Sequence, residues 1–169
     1  MKIFEFPMRR TYYLRHPLEF CRTLARSLKN VSMRIKFGYC NDDVWNMDSW
    51  FLDTIPPMLR MMADKGCTYP GYDPFNTPEK WHDWLYNIAD KLESCKETSR
   101  DKRNEYYEDY INTLFSNKSI TITYNYPTLT KDEICSKYIT RSNELFKESE
   151  ETIKYCFEQL GKYFFKLWD

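Results

Sequence analysis

The sequence predicts a mainly α fold: a single domain over residues 1–169 built as a bundle of four or five helices, with at most a minor strand or hairpin near residues 119–126. Three observations carry this. Apolar residues recur at helical spacing along three stretches, residues 44–62, 81–114 and 138–167. Two of these open on strong helix-start signals, Thr77-Pro78-Glu79 and Thr130-Lys131-Asp132-Glu133. Only Ser119-Ile120-Thr121-Ile122-Thr123-Tyr124-Asn125-Tyr126 alternates as a half-buried strand does.

The elements follow in order. Residues 2–6 suit a short extended segment that Pro7 ends. Pro17 suits the first turn of a helix running to about Lys29. Its apolar face is Leu18 or Phe20 with Cys21, Leu24, Ala25 and Leu28, flanked by Arg22, Arg26 and Lys29. That basic row is either a solvated face or an anion-binding stripe. Residues 36–62 come next, with Gly38 permitting a turn and Asn41 as N-cap. Asp42 and Asp43 stand where the helix dipole favours negative charge. Pro56 and Pro57 predict a kink or short break. Lys65-Gly66 reads as a helix stop, and Tyr69-Pro70-Gly71-Tyr72-Asp73-Pro74 as a turn-rich loop.

Trp81, Trp84, Leu85, Ile88, Leu92 and Cys95 form one stripe, and its phase returns at Tyr106, Tyr110 and Leu114. Ser99, Lys102 and Arg103 make the middle either exposed or broken. The last helix starts at Thr130 and carries Tyr138, Ile139, Leu145, Phe146, Ile153, Cys156, Phe157, Leu160, Phe164 and Leu167. Unbroken, it spans roughly 50 Å, with Gly161 positioned to bend its end.

On a helical wheel Val44, Trp45, Phe51, Leu52, Ile55, Leu59 and Met62 share one side, and Asp48 falls among them. An acid on a buried stripe needs a partner. Asp48 is therefore either a structural acceptor, paired with Arg34, Lys36 or an indole N–H, or a general base or ligand-holding acid in a cleft. The structural role is the expectation.

The chain has 169 residues, 18% aromatic and 30% charged, which suits a globular domain and excludes a disordered one. Net charge is zero but uneven. Residues 1–40 hold nine basic and two acidic side chains, and the remainder holds sixteen and twenty-three. The basic segment either docks on the acidic remainder, the favoured reading, or meets nucleic acid or phosphate. The six cysteines form no CxxC pair and the only histidines are His16 and His82, so no zinc site is expected. The cysteines are read as reduced and mostly buried. No signal peptide or transmembrane run is read, so no membrane partner is expected.

The segment Gly38-Tyr39-Cys40-Asn41-Asp42-Asp43-Val44-Trp45-Asn46-Met47-Asp48 is followed by Tyr69-Pro70 and by Thr77-Pro78-Glu79-Lys80-Trp81 with Leu85 and Ile88. The chain ends Phe164-Phe165-Lys166-Leu167-Trp168-Asp169. This order resembles a family of small uncharacterised bacteriophage and viral proteins. Their pattern is a Gly-aromatic-Ser/Cys-Asp stretch leading to Trp-x-x-Asp, a Tyr-Pro loop, a Glu-x-Trp helix start and a terminal Leu-Trp-Asp. Residues 1–30 and 96–130 lie outside the match, and the family tends to carry one proline where this chain has Pro56-Pro57. The resemblance implies a phage or viral origin and residence in the host cytoplasm. It implies no activity.

No phosphate-binding glycine loop or nucleophile elbow is present. Asp53 falls about 140° from Asp48 on the wheel, so the two acids do not converge on one helix face. The expectation is a non-enzymatic accessory protein without cofactor or metal. It would inhibit a host protein or sequester a host signalling nucleotide. The ligand-binding candidates are Trp45, Asp48, Tyr69, Tyr72, Trp81, Arg22 and Arg26. The alternatives are a small enzyme using Asp48 as acid or base, and a nucleic-acid-binding protein using basic residues 9–36.

Overall fold

The computed structural model describes residues 16–66, 69–115 and 124–167. The fold is mainly α, as the periodicity predicts. Among the described residues there are seven α-helices, one 3-10 turn and no strand beyond an isolated bridge between Tyr72 and Phe75. The chain reads as one domain in sequence, while its contacts group into two compact units, residues 1–54 and 55–169. The division falls inside a helix, one residue before Pro56.

In the first unit, α1 (Pro17–Phe37) has proline at its first position and outruns its predicted end at Lys29. Nothing breaks it before Gly38, which takes the left-handed conformation (φ 80°) and donates its N–H to Arg34 O at 2.9 Å. The predicted apolar face of α1 is not its buried face. Leu18, Phe20, Cys21, Ala25 and Leu28 are exposed, Leu24 is half-buried, and the buried residue is Ser27. Residues 41–62 do not form one helix either. The short α2 (Asn41–Trp45) is capped by Cys40 rather than Asn41. Asn46 leaves helical geometry (φ −121°, ψ 51°), and α3 (Met47–Lys65) then begins afresh. That break separates Val44 and Trp45 from the face that α3 carries. Leu52 is buried and Phe51 half-buried, while Val44, Trp45 and Asp48 are exposed. Asp48 is thus not the buried acid. Pro56 and Pro57 produce no break, because α3 stays helical through both.

In the second unit, residues 55–65 of α3 bury Leu59 and Ala63. Arg60 reaches Asp90 and Glu93, each at 2.6 Å, and Tyr86 donates its hydroxyl hydrogen to Asp64. Helix α4 (Pro78–Ser94) starts as predicted, with Lys80 N–H donating to Thr77 Oγ1 at 3.4 Å. Its stripe is core: Trp81, Leu85, Ile88, Ala89, Leu92 and Cys95 are buried. The polar middle of the 81–114 stretch is where the helix breaks. Helices α5 (Glu97–Arg103) and α6 (Tyr107–Phe115) follow as separate elements.

Asn104 makes the joint between α5 and α6. It is buried, donates through Nδ2 to Tyr138 O (3.1 Å) and Ser142 Oγ (2.9 Å), and accepts from Tyr106 N–H. Of the predicted strand, residues 119–123 lie outside the described residues, and 124–126 are irregular. The fully buried carboxylate of Asp109 accepts the N–H groups of Asn125 (2.8 Å) and Tyr126 (2.9 Å). A buried acid satisfied by backbone donors replaces ladder pairing in that loop.

Helix α7 (Lys131–Lys162) opens with the predicted capping box. Thr130 N–H donates to Glu133 Oε2 at 2.8 Å, and Glu133 N–H donates to Thr130 Oγ1 at 3.3 Å. Helices α4, α5 and α6 all pack on α7. Its buried residues are Ile134, Leu145, Ser149, Cys156 and Leu160, with Tyr163 just beyond its end. Ile139, Phe146, Phe157 and Phe164 of the predicted stripe are exposed, so the buried face is narrower than the apolar one. Cys95 and Cys156 are buried neighbours, and burial pushes the Cys156 thiol up to about 11.

Asp109→Asn keeps the shape of the side chain but turns one of its acceptor atoms into a donor. We expect it to cost about 1–3 kcal/mol of stability. Hydrogen exchange should accelerate most at the amides of Asn125 and Tyr126. Protection at those two amides equal to wild type would show that Asp109 does not hold the loop.

Candidate interaction surface

The sequence-predicted site residues divide between the two units. Arg22, Arg26, Trp45 and Asp48 belong to the first unit; Tyr69, Tyr72 and Trp81 belong to the second. Trp81 is core, only 3% exposed. Its ring stacks on Trp84 with centroids 4.9 Å apart and meets Phe75 edge-on at 4.9 Å, and Phe75 in turn meets Tyr163 at 4.8 Å. That cluster is filled by its own rings and leaves Trp81 no free face for a ligand. Tyr69 and Tyr72 are exposed, and Lys166 Nζ lies 5.6 Å from the Tyr72 ring centroid.

The buried acid of the first unit is Asp43, which the sequence suggested only as a helix-dipole residue. Arg34, considered above as a partner for Asp48, grips Asp43 instead. Its Nε donates to one carboxylate oxygen at 2.8 Å and its Nη2 to the other at 2.5 Å. Cys40 N–H adds a third bond at 2.8 Å. Both side chains are nearly buried. The guanidinium hydrogen bond, and then the Cys40 amide, hold the Asp43 pKa down at about 2 against the desolvation that would raise it. Beside this pair Asn30 Nδ2 donates to Asp42 at 2.7 Å, and Arg26 lies 3.7 Å from the same carboxylate. The signal for the clamp was present in the sequence: Asp43 is three residues past Cys40, the spacing at which an N3 acid returns to the N-cap amide.

The clamp ties α2 to α1 and sets the turn between them. It also presents apolar side chains to solvent. Ile35, Phe37, Tyr39, Val44, Trp45 and Met47 are all about half exposed or more, and Trp45 is 88% exposed. Large apolar groups held in water by a rigid turn are an unusual concentration for a soluble surface, where single exposed residues are the norm.

The cavities of the second unit offer less chemistry. One groove of about 280 Å³ is lined by Glu105, Tyr106, Ser136, Lys137, Thr140, Arg141 and Glu144. Arg141 is already within 2.8–3.7 Å of Glu105, Glu144 and Glu148, so its charge is spent on protein carboxylates. Another, of about 210 Å³, includes Arg100, Asp101 and Phe146; burial and then Glu97 raise the Asp101 pKa there. No group of three metal-ligating side chains occurs among the described residues, nor does a helix long and apolar enough to cross a membrane. Comparison with known protein families, curated proteins and solved structures finds no match to this chain.

Two sets of substitutions test this placement. Asp43→Asn should destabilise by on the order of 2 kcal/mol at neutral pH, the size of the pKa shift. Because the folded pKa is depressed, that stability is complete above pH about 4 and is lost as pH falls towards about 2. Urea midpoints of wild type and variant should therefore converge over that interval, and a constant gap down to pH 2 would refute the clamp. Trp81→Ala should cost about 3–5 kcal/mol, whereas Trp45→Ala and Asp48→Ala should each stay within about 0.5 kcal/mol of wild type. A large loss in the Asp48 variant would restore that residue to the core.

Proposed function

We propose that this chain is a non-enzymatic binding protein that acts by contact with another protein, through the apolar segment of residues 35–47. The observation that carries the reading is the exposure of Trp45 on a turn pinned by the Arg34–Asp43 pair. Tryptophan, tyrosine and methionine dominate the energetics and composition of protein interfaces. A turn already rigid before binding loses little entropy on docking. The resemblance to small phage and viral proteins makes a host factor the natural target, with inhibition as the effect, in the host cytoplasm.

The nucleotide-sequestering alternative loses Trp81, which is core, and of its candidate rings keeps Trp45, Tyr69 and Tyr72 exposed. The nucleic-acid alternative meets Arg22 beside Glu19 at 2.8 Å and Arg26 beside Asp42 at 3.7 Å. An enzyme using Asp48 would rest on an exposed acid in the first turn of α3.

Affinity purification of the tagged chain from a bacterial lysate, in parallel with Trp45→Glu, tests the proposal. Wild type should retain a stoichiometric protein that the variant loses by about tenfold or more at unchanged melting temperature, since interface tryptophans commonly carry 2 kcal/mol or more. Equal recovery by both proteins refutes it. So does a nucleotide retained at full occupancy by wild type in native mass spectrometry.

A further inference from the structure

Helix α1 carries a second apolar feature. Leu18, Cys21, Ala25, Leu28, Ser32 and Ile35 recur with strict three-four spacing, and all six are exposed, Leu18 at 75%, Leu28 at 54% and Ile35 at 82%. At 100° per residue this stripe lies roughly opposite the side on which Ser27 is buried and from which Asn30 and Arg34 reach Asp42 and Asp43. The helix is thus anchored by one face and bare along the other. We propose that the bare face docks an acidic amphipathic helix of a partner protein.

The width of the stripe selects a helix as occupant. A strict a/d seam is the footprint of a single packed helix, narrower than the face a helix sinks into lipid. Small residues at Cys21, Ala25 and Ser32 are interspersed with Leu18, Leu28 and Ile35, which leaves holes for knobs from a facing helix.

Charge selects its sign. Arg22, Lys29 and Lys36 line one flank of the seam, and Leu24 and Val31 line the other. A second copy packed antiparallel would face base against base; packed parallel it would face base against Leu24 and Val31. Residues 1–15 hold four basic side chains and one acidic, the wrong balance for covering a basic flank. A helix with glutamates beside its own apolar seam supplies what neither does. The Glu19 that now accepts from Arg22 at 2.8 Å is exposed and exchangeable at little cost. The seam ends at Ile35, where the segment proposed above as an interaction surface begins, so this inference names a class of partner for that reading and rests on it.

The test titrates the full chain with a synthetic three-heptad peptide carrying Ile and Leu in its seam and Glu on both flanks. The same peptide with Lys on both flanks and phosphatidylglycerol vesicles serve as comparators. The acidic peptide should bind, weakening by about tenfold as salt rises from about 50 to about 500 mM. Leu28→Asp and Ile35→Asp should each weaken it by about tenfold or more, with helicity unchanged. The triple variant Arg22→Glu, Lys29→Glu, Lys36→Glu should invert the preference towards the basic peptide. Trp45→Glu should leave peptide binding intact, so failure of the Trp45 surface and failure of the seam remain distinguishable. Absence of binding, or equal binding of both peptides, overturns the proposal. Leu28-dependent binding to vesicles, Leu28-dependent dimerisation in sedimentation, or peptide binding that needs removal of residues 1–15 would assign the face to another occupant and overturn it equally.

Discussion

The second unit depends on one long surface, the buried face of α7. A 32-residue helix presents about 48 Å of continuous groove and ridge, and α4, α5 and α6 all lie against it. Its own hydrophobic pattern is broader than the strip that is covered. The burial of Ile134, Leu145, Ser149, Cys156 and Leu160 at heptad-like intervals defines that strip. Several polar groups within the packing are satisfied locally or across it, whereas the buried Trp84 Nε1 has no hydrogen-bond partner among the described residues. Ser149 Oγ donates to Leu145 O, the Cys95 thiol approaches Ser149 O at 3.7 Å, and Asn104 bonds Tyr138 O and Ser142. Such contacts add little net stability each, but they are costly to leave unmade, so they penalise other registers of α4–α6 along α7.

The first unit is organised differently. Among its described residues the buried side chains are Ser27, Cys40, Asp43 and Leu52, a set too small and too polar to define a core by hydrophobic burial alone. The bidentate Arg34–Asp43 pair takes over that role. A near-buried ion pair is a poor source of net stability because both charges must be desolvated. It is a good source of specificity, because a planar guanidinium accepts a carboxylate in few geometries. The result is a well-defined turn with little apolar material beneath it. The large side chains that would elsewhere be core stand outside, and this is why the surface of residues 35–47 and the outer face of α1 expose apolar groups to solvent.

Much of the fold was legible from local chemistry. The Thr77 and Thr130 caps, the Pro17 and Pro78 starts, the Gly66 stop and the α4 core stripe were all readable, because caps and starts depend on residues within one turn of each other. The candidate site was less so. A helical wheel placed Asp48 among apolar neighbours, and within α3 it does share a face with Phe51, Leu52 and Ile55, but it stands in the first turn of that helix, where it is exposed. The break at Asn46 has no proline or glycine to announce it, and it leaves Val44 and Trp45 exposed, while beyond it Leu52 and Leu59 are buried on the predicted face. Trp81 and Trp45 carry the same side chain in similar amphipathic surroundings, yet one is sealed by Phe75 and Trp84 and the other is in water.

The sequence by itself determined the class of fold, the starts of three of the seven described helices and the scarcity of catalytic motifs, since these follow from periodicity, capping and composition. Only the tertiary structure decided which acid is buried, which apolar face of α1 is left bare and which tryptophan is available to a partner. Amphipathicity says that a face can be buried; whether it is depends on whether an element distant in the chain arrives to cover it. On α1 the arriving groups are the carboxylates of Asp42 and Asp43, and they take the polar side.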